Sequence, residues 1–195
     1  MLGGLTIELA AACSDIAAAQ DVAGRLGGRV YVDEREDTED LPFRALLTTV
    51  TDDPGALASA GDVGSYVICR RPIKVGDDAV AALFPLVRRS GLDHRDADRH
   101  WRDVHAPLAL KHHGFMTSYT QLSVLNRLSG EEFDGFALCG FGSLEDLKHR
   151  FFTGPGSREA VAADVRKMAD VARSPRRLIV VERRWPASGD SSLQR

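Results

Sequence analysis

The most informative stretch of this sequence is Trp101-Arg102-Asp103-Val104-His105-Ala106-Pro107-Leu108-Ala109-Leu110. Its tryptophan and histidine are four residues apart, so a helix places both on one face. The proline two residues after the histidine is expected to disrupt that helix or to end it. If the helix stops there, the imidazole of His105 points at the part of the protein that faces the end of the helix. The pattern therefore predicts a titratable group held at the mouth of a cavity.

The composition sets broad limits on function. The chain has 195 residues, of which 44% are hydrophobic and 27% charged, which is enough for a substantial core. A net charge of -3 argues against a nucleic-acid partner, because phosphate binding needs a clustered basic surface. The sequence shows neither a secretory-signal pattern nor an apolar segment long enough to span a bilayer. A cytoplasmic protein with no membrane partner is expected.

Apolar periodicity predicts two successive passes of strands and helices. In the first pass, strands are expected at residues 5–10, 29–33, 43–51 and 65–73, with helices at 14–26 and 54–60. In the second pass, strands are expected at 82–88, 117–125, 136–141 and 177–185, with helices at 94–105, 144–152 and 157–172 and a polar turn at 126–132. The order β-α-β-β-α-β in the first pass returns in the second with longer helices. This favours an α+β chain of two related halves, 1–76 and 77–186, followed by a flexible tail, 187–195.

The second pass carries a set of motifs that resembles a known family. A strand at Leu83–Arg89 is followed by the pattern W-x3-H-x-P-L at Trp101–Leu108, then by Tyr119, and then by F-D-G at Phe133–Gly135. From Leu83 to Val181 the chain resembles the EthD family of the dimeric α/β-barrel superfamily. The resemblance implies ferredoxin-like halves whose antiparallel sheets pack face to face into a barrel. Here the two halves of one chain could supply both sheets, and pairing of two chains into a homodimer is the other expectation.

The resemblance also implies which residues carry the chemistry. Neutral imidazole is poised near pH 7, so the role implied for His105 is general acid or base. Tyr119 would donate a hydrogen bond to a developing enolate or phenolate oxygen. The expected walls of the substrate pocket, an apolar cavity between the sheet and the first helix, are Trp101, Leu108, His112 and Phe136. At 112–114, the expected entrance of the pocket, the chain has His-His-Gly where the family more usually has a hydrophobic, glycine- or proline-containing turn.

A structural role for these residues is the alternative. A histidine near a helix end often only hydrogen-bonds an orphan carbonyl, and the indole and phenol can both be core side chains. Asp103 lies off the helical face of His105 and is a poor orienting partner for it, and Asp98 is a doubtful one. The remaining histidines at 94, 100 and 149 are expected to be exposed helix residues.

Metals and cofactors are not expected. The three cysteines, at 13, 69 and 139, are far apart and form no C-x-x-C pair, so neither a zinc site nor a disulfide framework is indicated. His112 and His113 are adjacent and point apart, so at most one could join His105, and no acidic residue is spaced to complete a triad. Haem occurs in distant members of the superfamily, but this chain shows no motif for it.

Three functions fit these observations. The first is a cofactor-free enzyme, an oxidoreductase, lyase or isomerase, that acts on a small aromatic or polyketide-like substrate through one base in an apolar pocket. The second is an accessory protein that binds a hydrophobic metabolite for a partner oxygenase. The third is an assembly subunit with a vestigial pocket. The first is the preferred hypothesis.

Overall fold

The computed structural model of this protein describes residues 4–186, so the predicted tail at 187–195 lies outside the described residues. Eight strands form a closed barrel: β1 (Thr6–Cys13), β2 (Gly28–Val32), β3 (Ala45–Thr49), β4 (Gly64–Lys74), β5 (Val80–Leu86), β6 (Met116–Gly130), β7 (Gly135–Phe141) and β8 (Leu178–Trp185). The helices are α1 (Ile16–Leu26), α2 (His94–His100), α3 (Ala106–His112), α4 (Leu144–His149) and α5 (Ser157–Met168).

The barrel is assembled from two sheets of identical topology. Around the barrel the strands follow the order β1-β3-β2-β8-β5-β7-β6-β4. Within each half, the fourth, first, third and second strands are therefore neighbours in that order, which is the ferredoxin-like arrangement. Antiparallel pairs β2–β8 and β4–β6 join the halves. The predicted fold class is confirmed, and one chain closes the barrel. The division at 76/77 stays a prediction; it falls in the connection between β4 and β5.

The barrel wall separates three apolar cores. The interior holds large side chains, among them Leu83 and Phe136. On the outside, α1 packs over the first half through residues such as Val22. In the second half, α2, α3 and α5 cover the wall together with Trp101 and Tyr119. Because successive strand residues point to opposite faces, each strand contributes to the interior and to one of the outer cores.

Two predicted elements differ from the structure. The short helix expected at 54–60 is a single 3-10 turn, Pro54–Leu57, which begins at the N-cap Asp53. The polar turn expected at 126–132 is mostly strand, because β6 continues to Gly130 and pairs with the start of β4 in the other half. The side chains at the end of β6 are exposed, so this part of the strand has a sequence as polar as that of a turn.

Pro107 does not end the helix that contains the W-x3-H motif. The helix passes from α2 through a π-helical turn, Trp101–His105, into α3, where the proline occupies the first turn. A proline lacks an N–H and its ring crowds the carbonyl four residues earlier, so the chain widens before it instead of stopping. The prediction that the helix is disrupted is confirmed, and its alternative, that the helix ends there, is wrong.

No helix among residues 4–186 is long and apolar enough to cross a membrane.

Candidate functional site

The π-helical turn decides which side chains of this segment share a face. α2 begins where the Asp93 carboxylate accepts a hydrogen bond from the backbone N–H of Asp96 at 2.7 Å. In the wide turn the backbone N–H of Ala106 bonds to the carbonyl of Trp101, five residues earlier. Residues five apart are therefore brought to one side, and here they are His100 and His105. π-turns of this kind are frequent at functional sites.

Both imidazoles contact one carboxylate on α5. His105 Nδ1 lies 3.0 Å from Asp164 Oδ2, and His100 Nε2 lies 3.0 Å from Asp164 Oδ1. Lys167 Nζ approaches the same carboxylate at 3.3 Å. The Asp164 side chain is only 5% exposed. The carboxylate is thus held by two imidazoles and an ammonium group, and we call His105 and Asp164 the His–Asp pair.

The protonation of the pair follows from its surroundings. Burial lowers the pKa of His105 below its ordinary value, against the opposing effect of Asp164. Burial by itself would raise the pKa of Asp164, but hydrogen bonds from His105 and His100 outweigh it and the pKa is lowered. At neutral pH the pair is therefore a carboxylate that accepts the Nδ1 proton of a neutral imidazole. That arrangement leaves Nε2 of His105 as the basic nitrogen.

Asp164 is the main residue that the sequence analysis missed. It lies 59 positions from His105, and no local spacing connects the two. One signal was available: Asp164 occupies the buried stripe of α5 together with Val161 and Met168. A carboxylate on an apolar helical face requires a partner, because an unpaired buried charge is costly.

The second predicted catalytic residue, Tyr119, lies beneath Trp101. Trp101 Nε1 donates to the Tyr119 hydroxyl at 3.0 Å, and Gln121 Nε2 donates to the same oxygen at 3.3 Å. The ring is 1% exposed and burial raises the pKa of the phenol, so it is neutral. Its oxygen accepts two hydrogen bonds and its own proton stays available to donate. No hydrogen bond in the described part of the chain joins Tyr119 to His105.

The glycine of the F-D-G motif, Gly135, is required at this position for steric reasons. A Cβ on Gly135 would lie 2.6 Å from Cζ3 and 2.9 Å from Cη2 of Trp101. Both contacts are shorter than carbon atoms tolerate, so only glycine lets the indole lie flat against β7. The motif therefore fixes the position of Trp101.

A buried polar network connects α2 to the barrel wall. Arg71, which is 7% exposed, donates from Nη1 to Gln121 Oε1 at 3.0 Å and also forms an ion pair with Asp98. Ser123 donates to Asp98 Oδ1 at 2.5 Å, and Gln121 Nε2 donates to the carbonyl of Trp101 at 3.0 Å. The network fixes the height of α2 above the sheet and keeps polar groups paired where water is excluded.

A pocket opens between α2, the end of α5 and the C-terminal end of β5. We call it the α2 pocket, and its lining is Leu86, Val87, Arg88, His94, Ala97, Asp98, Trp101, Asp134, Met168 and Ala169. Its walls are mainly apolar. At its rim, the Asp134 carboxylate contacts Arg88 Nε at 3.0 Å and His94 Nδ1 at 3.4 Å. The hydrogen bond to Asp134 raises the pKa of His94, so this rim imidazole is more basic than the one in the His–Asp pair.

Comparison with protein-family models gives a match to the EthD domain over residues 89–172. This segment, which we call the EthD-like segment, is similar to that domain. It contains α2, α3, α5 and the strands β6 and β7, and it therefore includes the His–Asp pair and the lining of the α2 pocket except Leu86, Val87 and Arg88.

Two solved structures are similar to this chain over most of its length. An anthrone oxidase-like protein is 11% identical, with 92% of this chain and 92% of that chain covered and a TM-score of 0.52. A monooxygenase candidate from Lactobacillus acidophilus NCFM is 12% identical, with 91% and 93% covered and a TM-score of 0.47. At these identities the likeness concerns the fold alone. No curated protein matches the sequence.

Within the EthD-like segment the predicted pocket residues are spread over several places. Trp101 lines the α2 pocket. Phe136 points into the barrel interior instead, because it lies on the face of β7 opposite to the one that Trp101 covers. Leu108 is half-buried on α3, and His112 bonds through Nδ1 to Ser157 Oγ at 3.0 Å. The pocket thus draws on α2 and α5 more than the sequence analysis expected.

Of the six histidines, three were predicted to be exposed. His94 and His100 are instead half-buried and paired with Asp134 and Asp164, whereas His149 is exposed, with a side-chain exposure of 65%. His113 bonds the carbonyl of Phe151 at 2.7 Å. Within residues 4–186, the histidine, cysteine and carboxylate side chains form no cluster of three or more with the geometry to hold a metal ion.

Proposed function

We propose that this protein is a cofactor-free enzyme acting on a small aromatic or polyketide-like substrate, with His105 as general acid and base. The observation that carries the proposal is the His–Asp pair: a neutral, buried imidazole whose Nδ1 is 3.0 Å from a buried carboxylate. A carboxylate at Nδ1 fixes the tautomer and stabilises the imidazolium that forms when Nε2 takes a proton.

The α2 pocket lies next to this base; its volume is about 20 Å³, enough for one water-sized molecule, so a ring system has to displace the pocket walls to enter. Trp101 and Met168 form part of its wall. Trp101 precedes His105 by four residues, and Met168 follows Asp164 by four residues. The pair therefore lies about one helical turn, ~5 Å, beyond the pocket edge. An apolar wall of indole and thioether suits a planar ring system. Tyr119 lies beneath Trp101 and does not line this pocket, so its part in the proposal is to hold the indole of Trp101 in place.

The anthrone oxidase-like structural neighbour suggests a first substrate class to test. An anthrone has a weakly acidic methylene group opposite its carbonyl, so one base suffices to form the stabilised carbanion. Reaction of the anthrone with one O2 gives the anthraquinone and one water, with the methylene carbon oxidised and O2 reduced. The step assigned to His105 is removal of the methylene proton, and later return of a proton to a departing oxygen.

The test measures O2 consumption and anthraquinone absorbance with anthrone and related phenols as substrates. His105→Ala is expected to lower kcat by roughly 10²–10⁴-fold, the usual contribution of a positioned acid–base group. Substrate binding, followed by calorimetry, should change little. The matched control is His149→Gln, which removes an exposed imidazole and should leave turnover unchanged. Full turnover by His105→Ala would overturn the assignment of His105.

The alternative is an accessory protein that binds a hydrophobic metabolite for a partner oxygenase. One observation favours it: the α2 pocket is lined by Trp101 and Met168 but not by His105 itself. In that case the wild-type protein binds the aromatic probe without converting it, and His105→Ala alters neither property. Trp101→Ala would then be the variant that loses binding.

A further inference from the structure

The interior of the barrel is filled at one end only. There, four aromatic rings pack together with centroids 5.5–6.2 Å apart, four of the five pairs edge to face and one tilted: Phe43, Tyr66, Phe133 and Phe136. An eight-stranded barrel is just wide enough to be filled by side chains or to hold one small ligand. At the opposite end the inward positions carry smaller or polar side chains, and a cavity of about 460 Å³ opens to the surface. We call it the barrel-mouth pocket.

The base of this pocket is an ion pair between Glu8 and Arg70. Glu8 is 4% exposed and accepts from Arg70 Nε at 2.7 Å and Nη2 at 3.1 Å. The same guanidinium donates to the Tyr31 hydroxyl at 3.1 Å and to Thr48 Oγ1 at 2.9 Å. Four of the five N–H donors of Arg70 are therefore used by the protein, so this pair forms a rigid polar floor.

The rim of the pocket carries cations that are less fully engaged. Arg29 lies 3.6 Å from Glu8 and 3.3 Å from Glu182, with a side-chain exposure of 36%. Arg184 pairs with Glu182 at 2.6 Å and is 72% exposed. Two guanidinium groups thus share one rim carboxylate and keep donors directed at the solvent in the mouth.

The charges that line the pocket do not cancel. The acidic residues are Glu8, Asp78 and Glu182, and the basic ones are Arg29, Arg70, Lys74 and Arg184. Three negative and four positive groups leave an excess of one positive charge. Burial and the neighbouring Glu182 raise the pKa of Asp78, and any proton it takes up increases the excess. The lining therefore carries a small net positive charge, which favours an anion with a single negative charge.

We propose that the barrel-mouth pocket binds a small organic monoanion, a carboxylate or phenolate carried on an apolar body of one or two rings. Arg29 and Arg184 would hold the anionic group at the rim. The apolar body would lie against Tyr31, Ala81 and Leu138, which line the same cavity. The cavity volume falls in the range of small-molecule sites. This site lies inside the barrel, whereas the α2 pocket lies on the outer face of the same wall, so the two sites are independent.

The experiment titrates the full-length protein with 2-naphthoate and with its neutral analogue 2-naphthalenemethanol, followed by calorimetry and by amide chemical shifts. Naphthoate is expected to bind and to shift the amides of Ser118, Thr120 and Leu138. Arg29→Gln and Arg184→Gln should each weaken binding about 10-fold, the effect of losing one charge-assisted hydrogen bond. The matched control is Arg183→Gln on the same strand: Arg183 pairs with Glu34 outside the pocket, and its loss should leave the affinity unchanged.

A variant that fills the cavity provides a second measurement if either arginine variant folds poorly. Thr120→Phe places a ring in the pocket and should abolish naphthoate binding while circular dichroism stays native. Three results would overturn the proposal: no naphthoate binding up to about 1 mM, the range of the weakest specific sites; equal binding of the neutral alcohol; or shifts confined to the α2 pocket. Equal losses in Arg183→Gln and Arg184→Gln would also overturn it, because a general charge effect would then explain the binding.

Discussion

Replacing Asp164 by asparagine tests the central arrangement of the candidate site. The substitution keeps the size of the side chain and removes its charge. The carboxylate accepts from His105 and from His100, each at 3.0 Å. An amide has one accepting oxygen and one donating nitrogen, so one of these imidazoles loses its acceptor, and the other keeps a neutral bond in place of a charge-assisted one.

The size of the effect follows from these two contacts. A hydrogen bond to a charged group contributes about 1.5–3 kcal/mol, and losing an acceptor for a buried donor costs about 1–3 kcal/mol. We therefore expect Asp164→Asn to lower the free energy of unfolding by about 2–4 kcal/mol at pH 7. The measurement is urea denaturation followed by circular dichroism. The control is Glu159→Gln, which removes an exposed carboxylate from the same helix and should change stability by less than about 0.5 kcal/mol.

The same variant changes the titration of His105. Asp164 acts to raise the pKa of this imidazole against the effect of burial, so its removal should lower the pKa further. Nitrogen-detected NMR of the ring measures this directly. A stability loss below about 0.5 kcal/mol, or a pKa of His105 that rises in Asp164→Asn, would refute the description of the pair as a carboxylate that orients a neutral imidazole.

Three further predictions concern neighbouring residues. Gly135→Ala should destabilise the protein by about 1–3 kcal/mol in urea denaturation, because the new methyl group collides with Trp101; unchanged stability would contradict the packing of the indole. The pKa of His94 is raised by Asp134, so its stabilising effect is full below pH ~6.5 and is lost as the pH rises through the folded-state pKa. Thermal melts of wild type and His94→Gln should therefore differ at pH 5.5 and converge at pH 9, and a constant difference would argue against the pairing. Burial raises the pKa of the Cys139 thiol to about 12, so iodoacetamide at pH 8 should alkylate it only after unfolding, and rapid labelling of Cys139 in the native protein would show that it is accessible.

The elements that the sequence predicted well are those with strong local periodicity. The helix at 14–26 and the strand at 136–141 match α1 and β7 closely, since apolar spacing and flanking glycines define them. The end of β6 was predicted as a turn because its residues are polar. Pairing with β4 of the other half keeps it extended, and such long-range pairing leaves no local pattern in the sequence.

The candidate site shows the same division between local and long-range information. Trp101 and His105 could be predicted because both belong to one helical motif. Asp164 could not be assigned as the partner of His105, because that contact depends on how α5 packs against the π-helical turn. The turn also brings His100 to the same carboxylate, although α-helical spacing would have turned it away. The wider π-helical turn thus creates a contact between His100 and Asp164 that α-helical periodicity does not predict.

The two halves of the barrel differ in how they fill their outer cores. Under α1 the first half packs aliphatic side chains, among them Ala19, Val22 and Leu47. At the matching place in the second half, β6 directs Tyr119 and Gln121 at the helix, and both are almost fully buried. Buried polar groups stabilise a fold less than apolar ones of the same volume, so stability alone favours the first solution. Since both halves have the same topology, the polar core under α2 is not required to close the barrel. In the half that contains the EthD-like segment, this polar core instead holds Trp101, through its bonds to Tyr119 and Gln121, at the wall of the α2 pocket where we propose that the chemistry takes place.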